Sequence, residues 1–266
     1  MSAKFEKTRV LITVMTYPHP SPKYTELVCT AGITDSGDWV RLYPIDYRYR
    51  PGHQQFHKYQ WIEVELAPRG TGNDKRKESR EPRLDSIRIL GEPLPTKDAW
   101  SARRAIIDRL PQRTLKECES LYDSDRISLS VVKPSRVLDL KIKKADASWK
   151  AEWQADIAQL KLFGPPPKPL RKIPFTFHYV FECADSDKPH TAMIEDWELG
   201  VLFLKEAARL GSDDEAAKSV KRMFLGTLCS PTCETRFFMG TRFPYNTWLV
   251  IGVFWPPRIS QPTLFQ

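Results

Sequence analysis

Between Arg9 and Tyr17 the chain is apolar in both phases of an extended strand, with Val10, Ile12 and Val14 on one side and Leu11 and Met15 around Thr13 on the other. A strand apolar on both faces belongs inside a sheet. Leu27 to Ile33 is a second apolar run. It ends at Asp35-Ser36-Gly37-Asp38, a tight-turn sequence, and Trp39 to Leu42 returns as its hairpin partner. Trp61 to Leu66 sets Ile62, Val64 and Leu66 against Glu63 and Glu65, the period-two pattern of a half-buried antiparallel strand. The clearest alternation is Ile173, Phe175, Phe177, Tyr179, Phe181 and Cys183, which predicts a long strand over a core, with a ligand-stacking strip as the other reading. Ser128 to Leu140 reads as strand on either side of Pro134. Arg236 to Gly240 and Trp248 to Trp255 read as two closing strands around a turn at 241–247.

Helical periodicity appears in fewer places. Thr96 to Leu110 has Thr96 or Asp98 as cap and Trp100, Ile106, Ile107 and Leu110 as its buried side. Ser148 to Phe163 spaces Trp149, Trp153, Ile157 and Leu160 at four, four and three, and the proline-rich stretch from Gly164 to Pro169 stops it. An apolar helix follows His190–Glu198 and runs through Leu210. Ser212 to Glu215 is a capping-box pattern opening another, with Val220, Phe224 and Leu225 inward. Arg69 to Pro82 is polar and aperiodic, and reads as a mobile loop. There is no internal repeat and no regular strand–helix alternation, which excludes a doubly wound fold. A meander of short strands, a helix-bearing segment and more strands occur twice. The expected fold class is mainly β with helical insertions (α+β), in two small barrel-like domains over residues 1–112 and 126–266, joined between Leu110 and Arg126.

Composition narrows the class. The chain has 266 residues, 41% of them hydrophobic and 28% charged, a globular mixture. No apolar stretch approaches the ~18 residues of a membrane span. The first residues carry charge but no apolar segment behind it, so no secretory signal is expected. Five cysteines, an odd number, do not suggest a disulfide framework, and a reducing cytoplasm is the expected compartment. The net charge of +8 is unevenly placed. Arg69–Arg113 holds 12 basic and 7 acidic residues (+5), and Arg126–Lys172 holds 11 and 4 (+7), which leaves −4 elsewhere. The two segments are either solvated faces or a basic groove for a polyanion.

Three stretches carry a resemblance: Leu11-Ile-Thr-Val with Cys29-Thr-Ala-Gly-Ile33 and Gly37-Asp-Trp-Val-Arg41, then Phe175 to Val180, then Phe237-Phe-Met-Gly240 with Trp248 to Val253. In order and spacing they resemble the bacterial dual-OB domain family. Two departures stand out. Leu42 and Tyr43 separate Arg41 from Pro44, where the family has a proline directly, and Ile194-Glu195-Asp196-Trp197-Glu198 replaces a Thr-Asp-Pro-like stretch. The resemblance implies two OB-like antiparallel β-barrels in tandem and a nucleic-acid context, with antiphage defence or nucleic-acid processing as a hypothesis. It supplies no catalytic residues.

OB barrels bind single strands through a basic groove and exposed aromatics, because every base offers a face and every linkage a phosphate. Basic and aromatic residues interleave in Trp39, Arg41, Tyr43, Tyr47, Arg48, Tyr49 and Arg50. Arg236, Arg242, Tyr245 and Arg258 form a thinner set, and Lys141, Lys143 and Lys144 lie in the most basic segment. The alternative for Trp39 and Tyr43 is a place in the core. Glu195, Asp196 and Glu198, with His190 upstream, are the catalytic candidates, able to hold a divalent ion or move a proton. The simpler reading makes Asp196 a helix cap with Glu198 in the first turn. Cys229 and Cys233 have a C-x3-C spacing, and with Cys183 and His190, earlier in the same predicted domain, they could make a structural zinc site. Cys183, however, belongs to the apolar face. No cofactor is called for. The expected function is that of an accessory protein binding nucleic acid, single-stranded for preference, alone or with other subunits of a nucleoprotein complex. The alternatives are a metal-dependent enzyme acting on nucleic acid or nucleotides, and an interaction subunit with a basic docking face.

Overall fold

The computed structural model describes residues 4–21, 25–71, 74, 76–150, 170–242 and 245–259. The chain is mixed α+β and mostly sheet, as its patterning predicts. The helix expected over Ser148–Phe163 and the proline-rich stretch after it lie, apart from residues 148–150, outside the described residues.

The N-terminal half supplies β1 (Glu6–Met15), β2 (His19–Ser21), β3 (Thr25–Leu27), β4 (Thr30–Thr34), β5 (Trp39–Leu42), β6 (Trp61–Leu66), β7 (Ser79–Arg80) and β8 (Arg88–Ile89). Six of these form one sheet in the order β7-β5-β4-β1-β6-β8, while β2 and β3 pair separately. β1 is central, antiparallel to both β4 and β6, and its apolar run from Val10 to Met15 is buried throughout. In β6, Ile62, Val64 and Leu66 are buried and the alternating residues half-buried, as period two requires. The Asp35–Asp38 turn closes the β4–β5 hairpin, with Gly37 at a φ of +90° that a side chain would resist. The stretch expected to be a mobile loop is anchored at its far end. β7 runs parallel to β5, and beyond it the chain returns to β6, where Leu66 bridges Pro82. There the Ala67 N–H donates to the Glu81 carbonyl and the Arg83 N–H to that of Glu65.

Lys97–Ile107 (α1) begins irregularly, with Asp98, Ala99 and Trp100 at left-handed φ of 50°, 51° and 65°, and Thr96 makes no side-chain cap. The segment expected only to join the halves instead holds β9 (Gln112–Arg113) and α2 (Leu115–Asp125). The Thr114 hydroxyl accepts from the Glu117 N–H and the Glu117 carboxylate from the Thr114 N–H, a full capping box. There follow β10 (Leu129–Val132), β11 (Arg136–Lys144), β12 (Phe175–Glu182), β13 (His190–Ile194), α3 (Trp197–Leu210), α4 (Asp213–Lys221), a π turn at Arg222–Thr227, β14 (Arg236–Thr241) and β15 (Trp248–Phe254).

The second sheet runs β11-β12-β13-β15-β14-β10-β9. The long aromatic strand is core: Phe177, Tyr179 and Phe181 are at most 1% exposed, and the Tyr179 hydroxyl donates to the Phe224 carbonyl at 2.7 Å. Both sheets are mixed, with β5 and β7, β9 and β10, and β13 and β15 running parallel. Among the described residues no ladder closes either sheet into a barrel, so the architecture established is two mixed sheets with helices, where purely antiparallel pairing was expected. The sheets share a core in which Val14, Ala31 and Ile33 pack with Leu129, Phe238, Leu249 and Phe254 around Tyr59 and Trp100.

Candidate nucleic-acid interface

The interleaved arginines and aromatics of the N-terminal half do not form an open groove. Arg41 is 3% exposed on β5 and donates to the Ser128 carbonyl and hydroxyl at 3.2 and 3.3 Å. Burial, with Arg76 nearby, pulls its guanidinium down to about 10. Tyr47 is core, its hydroxyl donating to the Phe56 carbonyl at 2.6 Å and its ring edge-on to Trp197. Arg48 pairs with Glu26 at 3.1 Å, and Arg50 with Asp46 and Asp85 at 2.8 and 3.3 Å. Tyr49 is half-buried in a short 3-10 turn beside them. Trp39 packs edge-on against Phe238. Arg236, also buried, sits between Asp108 and Glu234. The expected phosphate and stacking roles of Arg41, Tyr47 and Arg236 are therefore replaced by internal bonding: buried polar groups must be satisfied inside the protein.

The lysines of β11 differ. Lys141, Lys143 and Lys144 are exposed, and none lies within ion-pair distance of a carboxylate among the described residues. Lys141 stands opposite His178 and Lys143 opposite Thr176 on β12. Strand alternation puts these four on the face away from Leu140, Phe177 and Tyr179. Burial and then Lys143 push the His178 imidazole below its ordinary value.

Toward α3, beside the ends of β11 and β12, opens a cleft of about 140 Å³ whose lining includes Tyr17, His19, Trp149, Lys172, Phe175 and Leu199. The Tyr17 hydroxyl donates to the Arg171 carbonyl at 2.7 Å and the Trp149 indole to that of Leu170 at 2.9 Å. Lys172 stands 5.8 Å from the Trp149 ring and His19 meets it edge-on. Tyr17 lies flat on α3 where Gly200 leaves room; a Cβ there would fall 2.2 Å from the ring. Sequence reasoning assigned Trp149 to a helix and passed over Tyr17, Lys172 and His19, because the cleft draws on four distant segments.

Asp196 and Glu198 converge on one ammonium, and Glu195 turns to other partners. Asp196 is the N-cap of α3, accepting from the Glu198 N–H at 2.7 Å, as the capping reading expected. It is 2% exposed and takes Lys58 Nζ at 2.8 Å, while Glu198 takes the same ammonium at 3.0 Å. Burial pushes the Asp196 carboxyl up against the pull of Lys58, and the two carboxylates hold Lys58 protonated despite its own burial. Glu195 faces His19 at 3.9 Å and Arg242 at 4.0 Å. His190 opens β13, about 16 Å along the strand from Glu195 at roughly 3.3 Å per residue.

All five cysteines are free. Cys229 and Cys233 bond the Phe224 and Thr227 carbonyls at 3.3 and 3.5 Å, and burial raises the Cys229 thiol to about 12. Cys183 and His190 lie together, but with Asp185 and not with that pair. No described helix is long and apolar enough to cross a membrane.

Residues 6–109 match a family described as "Domain of unknown function (DUF8758)", and residues 111–266 match one described as "Domain of unknown function (DUF8757)". The second match covers more than half of the chain. The chain belongs to the DUF8757 family. Within it, the DUF8757 region carries the lysine face, the carboxylates and most of the cleft, while Tyr17 and His19 come from the DUF8758 region. No curated protein matches the chain.

Proposed function

We propose that the protein binds single-stranded nucleic acid along the outer face of β11–β13, as an accessory component of nucleic-acid processing or defence. The observation that carries this reading is Lys141 and Lys143 on this face, with Lys144 at the strand end in the opposite phase, all three exposed and beyond ion-pair distance of a carboxylate among the described residues. By the Lys144 end of β11 lies a cleft where Tyr17, Trp149 and Phe175 offer aromatic surface beside Lys172. Phosphates would sit on the lysines and a base against the aromatics, the combination single-strand binders use. Four of the nine arginines of the first basic segment are paired with carboxylates: Arg76 with Asp74, Arg80 with Glu6, Arg83 with Glu65 and Arg104 with Glu234.

The proposal includes two OB-like barrels. What supports it is the pairing order. β1 pairs β4 and β6, β4 pairs β5, and β5 lies parallel to β7, whose continuation returns to β6. In the second half β10 and β11 are two pieces of one run broken at Pro134, pairing β14 and β12 respectively. β13 runs parallel to β15, with α3 and α4 between β13 and β14.

The test is a salt titration of binding to single-stranded and duplex DNA and RNA. Affinity should fall steeply with salt, and the variant Lys141→Gln/Lys143→Gln/Lys144→Gln should lower the log–log slope by about 2. A slope unchanged by the triple variant would remove this face as the site.

A further inference from the structure

We propose that Cys183, Asp185 and His190 bind a zinc ion at the turn between β12 and β13. This site is separate from the lysine face, so its loss and the loss of nucleic-acid binding can be told apart. One ligand atom from each of the three residues lies within 4.8 Å of the other two. Cys183 directly follows β12, Asp185 is in the turn and His190 opens β13, so a single hairpin presents all three.

The imidazole is what makes this arrangement unusual. His190 stands opposite Phe181 in the ladder, which places it on the inward face, and its ring centroid lies 5.6 Å from that of Phe181. Its Nε2 is shielded from solvent and has no hydrogen-bond partner. A buried nitrogen with nothing to bond is rare, and a metal ion would complete it. Cys183 is 3% exposed, so its sulfur is as sheltered as the ring.

The start of α2 supports the other two ligands from outside. The backbone of Leu115 favours the thiolate form of Cys183 against the effect of burial, and the Thr114 hydroxyl donates to Asp185 Oδ2 at 2.6 Å. Lys116 Nζ holds the Asp185 carbonyl at 2.6 Å and so fixes the turn. Partners of this kind orient metal ligands and set their basicity. The positive end of the helix also favours a thiolate and a carboxylate in front of it.

Thiolate, imidazole and one carboxylate suit zinc, whereas magnesium and calcium take oxygen ligands alone. Ligand atoms around tetrahedral zinc stand roughly 3.3–3.7 Å apart, so the three atoms would close by about 1 Å. The exposed Asp185 can supply that movement by rotation, and a water on its open side would fill the fourth position. Binding would release the Cys183 thiol proton to solvent as the Zn–S bond forms, so affinity should weaken as pH falls. The bound ion would clip the β12–β13 turn to the segment joining the two halves.

The experiment is titration of full-length protein, freed of metal by chelator, with Co²⁺ and then Zn²⁺. We expect one equivalent per chain, a thiolate-to-cobalt charge-transfer absorbance, and its displacement by Zn²⁺. Cys183→Ser should abolish the absorbance. Because Cys183 is buried, Asp185→Asn and His190→Gln provide the second readout: each should weaken binding roughly tenfold or more, with metal-free melting unchanged for Asp185→Asn. Stoichiometry near zero would overturn the proposal. So would an absorbance that survives Cys183→Ser, or wild-type affinity in both other variants.

Discussion

At Gly200 two residue-level preferences oppose each other. In a helix interior alanine is favoured over glycine by about 1 kcal/mol, yet a Cβ at this position would meet the Tyr17 ring at 2.2 Å. Forcing an atom into a packed contact costs typically about 1–3 kcal/mol, and backbone on one side with an aromatic ring on the other leaves little room to relax. Gly200→Ala should therefore destabilise the protein by about 1–2 kcal/mol in urea unfolding, while also moving Tyr17 off the Arg171 carbonyl. Stabilisation would mean that Tyr17 can move freely. The same scale explains Arg41 and Tyr47. Their residue types suit a nucleic-acid surface, but each found an acceptor indoors, at Ser128 and Phe56.

Among the elements, α3 shows how a charge-rich motif can be structural. Asp196 caps the helix and simultaneously takes Lys58 from the N-terminal half. Removing one member of a buried ion pair leaves the other uncompensated, at a cost of about 3–5 kcal/mol, whereas replacing both is far milder. Lys58→Met should lower stability by that order. Lys58→Met/Asp196→Asn, which keeps a capping side chain, should recover at least half of the loss in a double-mutant cycle. Additive losses would show that the two groups are not coupled. The cap itself was legible in the sequence, since Asp196 precedes an apolar run and Glu198 follows in the first turn. The Lys58 partner was not, because 138 residues separate it from Asp196. α2 was legible and missed: Thr114 and Glu117 have the spacing of a capping box, but the apolar periodicity after them is slight.

For the molecule as a whole, the halves are tied by charge as well as by the shared core. Glu234, before β14, meets Arg104 of α1 at 2.8 Å and Arg236 at 2.8 Å. Burial pushes the Glu234 carboxyl up, but hydrogen bonds from Arg236 and Arg104 outweigh it and hold the group at about 2, against an ordinary 4.5. A depressed folded pKa stabilises above the ordinary value and is lost as pH falls through the folded one. The contribution of Glu234 should thus be full above about pH 4.5 and vanish toward about pH 2. Glu234→Gln should melt lower than the parent at pH 7, with the gap closing on acidification across that window. A gap independent of pH would assign the effect to packing.

The amino-acid sequence alone determined the longer strands and most of the described helices, while the short strands β2, β7, β8 and β9 escaped it. Period-two alternation in β6 and β12, apolar residues on both phases of β1, and cap residues at Asp196 and Ser212 are local signals, written within a few neighbouring positions. It also located the surplus of positive charge. Only the tertiary structure decided which charges are spent inside the molecule and which face outward. Arg41 and Arg236 are buried with partners more than 80 residues away, at Ser128 and Asp108, while the lysines of β11 are exposed. It likewise assembled the cleft of Tyr17, Trp149 and Lys172, and set His190 beside Cys183 and Asp185 rather than beside the acidic run. Burial and partnership depend on contacts between distant segments, and a one-dimensional pattern carries no record of those.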